Sequence, residues 1–158
     1  MTTLFVTSSS HGSTREIAER MAQVLRTKQA VETVVEDVAG AAAWLESASA
    51  VVLAAPVYQG KLAADAKHFL DSRRAELTEK PLMIVVSGGS PELDPQLRVQ
   101  LESYRPRSVK YFRGAVTEER LGFLDKLKIK LAKGQFGDFR DWNAIEAHAS
   151  TLANTGAR

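Results

Sequence analysis

Short apolar runs alternate with amphipathic stretches along most of the chain. Thr3–Thr7 is a hydrophobic run that predicts a buried strand. Arg15–Leu25 follows, with Ile17, Met21, Val24 and Leu25 at the spacing of one helical face. Val31–Val35 is a β-branched run that predicts an edge strand, and Val38–Ser47, with Trp44 and Leu45, predicts a weak helix. Ala50–Ala55 and Pro81–Ser87 are apolar throughout, as expected of central parallel strands covered on both faces. Ala63–Leu77 predicts a helix with Ala66, Phe69, Leu70 and Leu77 inward, and Pro95–Tyr104 another with Leu97 and Leu101 inward. Val109–Val116 predicts a fifth strand, and Trp142–Leu152, with Ile145 and Leu152 on one face, a closing helix. Strands alternating with helices imply an α/β domain with a parallel sheet between two helical layers.

In such sheets ligands lie beyond the carboxyl ends of the strands, where strand order reverses. Three loops are predicted to converge there: residues 8–14, 56–61 and 87–94. The first carries Ser8, Ser9, Ser10, His11, Gly12, Ser13 and Thr14, and feeds a helix start. Hydroxyls, N–H groups and the positive end of a helix dipole suit one phosphate group. The same residues also suit an ordinary turn with an N-cap. The loop lacks the Gly-Lys-Ser/Thr ending of a nucleoside-triphosphate loop and the three spaced glycines of a dinucleotide fold. The second loop holds Pro56, Val57, Tyr58, Gln59 and Gly60, and Tyr58 offers an aromatic face for a planar ring. The third begins Ser87, Gly88, Gly89, where backbone can approach a ring edge closely. Together the loops fit FMN.

Composition adds limits rather than detail. The chain has 158 residues, 44% of them hydrophobic and 25% charged, as in ordinary globular domains. It contains no cysteine, which removes thiolate chemistry, disulfides and iron–sulfur ligation. His11, His68 and His148 are scattered without metal-ligand spacing, and His68 and His148 are expected on solvated helix faces. Asp65, Asp71, Glu76 and Glu79 read as ordinary surface charge. No spanning segment or signal peptide is read, so a cytoplasmic protein is the expectation, with no nucleic-acid partner. Net charge is +2 but uneven: residues 105–140 hold ten Lys/Arg against four Asp/Glu. Within them, Leu121–Lys133 places Phe123, Leu124, Leu127 and Leu131 in one apolar sector flanked by lysines, with Ile129 breaking the pattern. This segment suits either packing on its own domain or contact with an anionic membrane surface.

The phosphate turn resembles that of the flavodoxin-like family, Ser/Thr-x-Thr-Gly-x-Thr, through Ser9, Gly12, Ser13 and Thr14, with His11 where a second hydroxyl is usual. It is most similar to the flavodoxin-like, menaquinone-dependent protoporphyrinogen oxidases. Ser8, Ser9, Gly12 and Thr14 match their turn, followed by Arg15, Ile17 and Ala18. Arg105-Pro106, Gly114-Ala115, Ile129-Lys130-Leu131 and Asp141-Trp142 extend the resemblance along the chain. Tyr58 departs from that family's loop, and the insertion is less aromatic. The resemblance implies a single flavodoxin-like domain over 1–158, a five-stranded parallel sheet in order 2-1-3-4-5, and a basic helical insertion at about 117–140. It further implies noncovalent FMN and electron transfer from a porphyrin precursor to a quinone, a step of heme biosynthesis; in the membrane reading of Leu121–Lys133, that segment sets the flavin at the inner face of a membrane. A carrier exchanging electrons with protein partners, and a nonredox module that has lost its flavin, are the alternatives. No acid, base or nucleophile is nominated.

Overall fold

The computed structural model describes residues 1–8, 12–116 and 137–156; the statements below concern these residues. Five parallel strands form the sheet: β1 (Thr2–Thr7), β2 (Glu32–Asp37), β3 (Ala50–Tyr58), β5 (Leu82–Gly88) and β6 (Ser108–Arg113). Their order is β2-β1-β3-β5-β6, with the two-residue β4 (Lys61–Leu62) folded back antiparallel on β3. With that short strand set aside, this is the expected 2-1-3-4-5 order. The order reverses between β1 and β3, which pair from Thr3↔Ala50 to Thr7↔Ala54.

Period-two alternation divides the strands between two cores. Leu4, Val6, Val51, Leu53, Ala55, Leu82, Ile84 and Val86 enter one core. There they meet α2 (Ala42–Leu45), α3 (Ala64–Ser72), α4 (Arg74–Thr78) and α5 (Pro95–Glu102). Phe5, Val52, Ala54, Met83, Val85 and Phe112 enter the other, against α1 (Ser13–Gln29) and α6 (Trp142–Gly156). Ile17, Met21, Val24 and Leu25 are all buried, so the inward face read from their spacing is the packed face.

Several boundaries differ from the periodicity. Only one turn of helix forms between β2 and β3, because the Asp37 carboxylate takes the Gly40 N–H at 2.9 Å and turns the chain. The predicted 63–77 helix breaks at Arg73, whose φ of −112° leaves the helical region. The second strand lies one to two residues later than expected, at Glu32–Asp37. β3 continues through Pro56, Val57 and Tyr58, which the sequence read as loop. Gln59 (φ 52°) and Gly60 (φ 75°) then form the tip of a tight hairpin into β4. Two consecutive positive φ angles match the twist of the flanking strands, and Gly60 adopts its angle without Cβ strain. The fifth strand ends at Arg113 instead of Val116. Gly114 donates its N–H to the Gly88 carbonyl at 2.9 Å, and β7 (Ala115–Val116) pairs antiparallel with β8 (Gly137–Asp138). Residues 117–136, which include the predicted Leu121–Lys133 helix, lie outside the described residues.

Candidate functional site

Helix α1 starts directly beyond the carboxyl end of β1, beside the strand-order reversal. Its N-cap is Gly12, held at φ +84°. Glycine offers no side-chain acceptor to the first-turn N–H groups. Helix α5 shows the contrast: Asp94 caps it, taking the Gln96 and Leu97 N–H groups at 2.8 and 3.1 Å. A glycine cap, with none of the described atoms within 4 Å of its Cβ position, leaves the start of α1 suited to an external anion. Ser13 and Thr14 lie inside the first turn of this helix, where the sequence read them as loop.

The three strand ends converge. Ser8 donates its backbone N–H to the Ala54 carbonyl at 3.0 Å, tying β1 to β3. Thr14, fully buried, shares a 2.7 Å hydroxyl hydrogen bond with Ser87 at the end of β5. At Gly88, an added Cβ would stand 3.0 Å from the Val57 carbonyl and 3.0 Å from the Tyr111 hydroxyl, so a side chain there needs its neighbours to give way. Its own packing partners thus crowd this position. Tyr58 is exposed at 41%, while Gln59 and Gly60 occupy the hairpin tip. Pro56 pairs in register with Ser87, and the Gly89 carbonyl accepts a 3.4 Å contact from Arg113 Nη2. Ser9, Ser10 and His11 lie outside the described residues.

Some residues read as surface charge are engaged here. The Ser8 hydroxyl donates to Asp65, whose carboxylate also accepts the Ala66 N–H. Ser8 is buried and has one hydroxyl proton, so that proton goes to Asp65 and its lone pairs remain for other contacts. Away from the site, at the other end of α3, Asp71 accepts the Tyr104 hydroxyl at 2.6 Å and pairs with Lys67 at 2.8 Å. Those hydrogen bonds, Lys67 first, hold the Asp71 carboxyl below its usual range. Burial and then the Asp71 contact push the Tyr104 hydroxyl up to about 12. His148 is half-buried rather than solvated: its ring meets Phe112 edge-on at 6.0 Å. Burial, reinforced by the Lys110 charge, lowers its pKa.

Beyond β6, sequence reasoning missed a group assembled from distant positions. Tyr111 donates to the Ser90 carbonyl at 2.6 Å, and burial raises its pKa. Arg113 lies over the Phe139 ring at 4.0 Å. Arg140 bridges Asp138 and Glu16. No local spacing signals these contacts, since Arg140 and Glu16 are separated by 124 positions. A polar recess along α1, lined by Arg15, Glu19, Arg20, Gln23 and Trp142 among others, includes none of the three loops.

The flavodoxin domain family model matches residues 4–141, and the chain belongs to that family. A short-chain flavodoxin associated with a noncanonical PDU bacterial microcompartment superposes with a TM-score of 0.67 at 18% identity, covering 99% of each chain. Oxidised flavodoxin 1 from Bacillus cereus gives 0.65 at 17% identity, covering 98% of each. An NADH:FMN oxidoreductase in its apo form gives 0.51 at 21% identity, covering 71% of this chain and 74% of its own. No protein with a curated description matches the sequence.

Proposed function

We propose that the chain is an FMN-binding redox protein acting through one noncovalent flavin. The observation that carries this is the glycine-capped start of α1 at the β1/β3 reversal, joined to β5 through the Thr14–Ser87 hydrogen bond. Family membership supports the same ligand, and one structural neighbour is an NADH:FMN oxidoreductase. In this reading the α1 start, with Ser13 and Thr14, holds the phosphate, together with Ser9, Ser10 and His11 of the same turn. Ser8, oriented by Asp65, presents lone pairs toward a ribityl hydroxyl. Tyr58, Gln59 and Gly60 flank the ring on one side, and Ser87, Gly88 and Gly89 on the other. The flavin supplies the electron chemistry; the protein positions and tunes it.

At the substrate level, the proposal is oxidation of a protoporphyrinogen-type precursor with a quinone as acceptor. Its support is the motif set quoted above, including Arg105-Pro106, Gly114-Ala115 and Asp141-Trp142. The second reading is an electron carrier without its own substrate, favoured by near-complete superposition on two flavodoxins. Peripheral contact with anionic membrane through 121–133 accompanies the first reading. The domain is taken as single over 1–158.

Titration with FMN and riboflavin by flavin fluorescence tests the cofactor. FMN is expected to bind more tightly, and equal affinities would remove the phosphate site. Tyr58→Ala is expected to alter the flavin absorption envelope; an unchanged spectrum and affinity would remove Tyr58 from the ring site. Turnover of protoporphyrinogen with a quinone then separates enzyme from carrier. Turnover supports the oxidase, and its absence in flavin-loaded protein supports the carrier.

A further inference from the structure

The side chain of Arg140 is only 6% exposed, although it stands on the short stretch between β8 and α6. Its Nε and Nη2 atoms grip both oxygens of Asp138 at 2.9 and 2.7 Å. Its Nη1 reaches Glu16 Oε2 at 2.5 Å. The Trp142 ring lies 4.7 Å from the guanidinium carbon and covers it. The same ring faces Arg20 at 4.8 Å. Arg140 therefore links the end of β8 to the first turn of α1.

Glu16 is the telling partner. Its backbone N–H donates to the Gly12 carbonyl at 3.1 Å, which places it one turn into the helix. A carboxylate there complements the helix dipole. Like charges repel, so it also opposes an anion taken up by the N–H groups of the same turn. We propose that Arg140 is a positioning residue for the phosphate site. By pairing with Glu16 it offsets part of the carboxylate's repulsion of the incoming phosphate and fixes the first turn of α1 against the β7–β8 strand pair. This inference rests on the FMN reading and deepens it, since it names the device that lets a carboxylate-bearing helix start accept a doubly charged group.

The test compares FMN with riboflavin, which lacks only the phosphate, in wild type, Arg140→Met, Glu16→Gln and the double variant. Flavin fluorescence quenching is measured at low and high salt, with thermal unfolding monitored alongside. Arg140→Met is expected to weaken FMN relative to riboflavin about tenfold at low salt, and by less at high salt, where screening takes over. Glu16→Gln in that background is expected to restore most of the preference. Glu16→Gln alone is expected to raise it above wild type. Equal losses for both flavins, or a loss that Glu16→Gln does not repair, would overturn the proposal and leave Arg140 a structural brace. If Arg140→Met does not fold, Glu16→Gln alone decides, and an unchanged preference overturns the proposal. A wild-type protein with no preference for FMN would strike the FMN reading itself and this inference with it. Preference in wild type that no variant moves would strike only the role of Arg140.

Discussion

Thr14 has a hydroxyl that solvent does not reach, paired with Ser87 at 2.7 Å. The two groups share two protons, and one lies between them. The other remains for a ligand. If Ser87 donates to Thr14, then Thr14 donates onward, and a phosphate at the start of α1 selects that direction. Thr14→Ala is accordingly expected to weaken FMN by about 1–3 kcal/mol, with a smaller effect on riboflavin. It is also expected to destabilise the flavin-free protein, because the buried Ser87 hydroxyl loses its partner. Urea unfolding alongside the flavin titration separates the two effects. His148 gives a pH prediction of known sign. Its folded pKa is depressed by burial, below the ordinary imidazole value of about 6.5. Stability from this site is therefore complete above that ordinary value and falls as pH drops through the folded one. His148→Leu is expected to flatten the loss of stability between neutral pH and mild acid. An identical slope in denaturation midpoint against pH for the variant would remove His148 as the cause.

At the scale of elements, the sequence revealed what repeats locally and hid what is settled at long range. The apolar runs at 50–55 and 81–87 were legible as central strands because both faces of each are covered. The inward face of α1 was legible for a similar reason: four apolar positions at helical spacing meet one packed layer. Pro56 and the Gln59-Gly60 pair read as loop punctuation, yet they prolong β3 and turn it back on itself. The convergence of the three loops at one end of the sheet was legible because strand ends meet by topology, whereas Asp65 at Ser8 and Arg140 at Glu16 were not. Such pairs depend on which distant elements become neighbours, and residue type alone does not encode that. Lys80 is a further case. Its ammonium donates to the Leu45, Glu46 and Ala48 carbonyls at 2.5, 3.0 and 2.6 Å, closing the end of the single-turn α2. These are charge-assisted bonds at a half-buried site. Lys80→Met is expected to lower stability by about 1–3 kcal/mol. Denaturant midpoints measure this, and a change within error would show that water replaces the ammonium without loss.

Across the whole molecule, charge is unevenly spread along the chain. Residues 1–104 carry thirteen Asp/Glu against ten Lys/Arg, whereas 105–140 carry four against ten. The paired strands β7 and β8, whose inner ends Val116 and Gly137 bracket residues 117–136, follow Gly114. Gly114 is itself bonded to Gly88 of the proposed ring loop. The strand pair that flanks this stretch of sequence is thus joined to the proposed ring loop. None of the helices among the described residues is long and apolar enough to cross a membrane. The membrane proposal therefore requires a reversible surface contact, in which apolar residues enter the interface and lysines face anionic headgroups. Sedimentation with anionic and neutral vesicles over a salt series tests it. Binding is expected to require anionic lipid and to weaken as salt screens the charge. It is also expected to fall when Lys126→Gln, Lys128→Gln and Lys130→Gln are combined. Binding to neutral vesicles alone, or none to anionic vesicles at low salt, would remove the membrane contact. The flavin titration would still stand, because its residues belong to the strand ends and not to this segment.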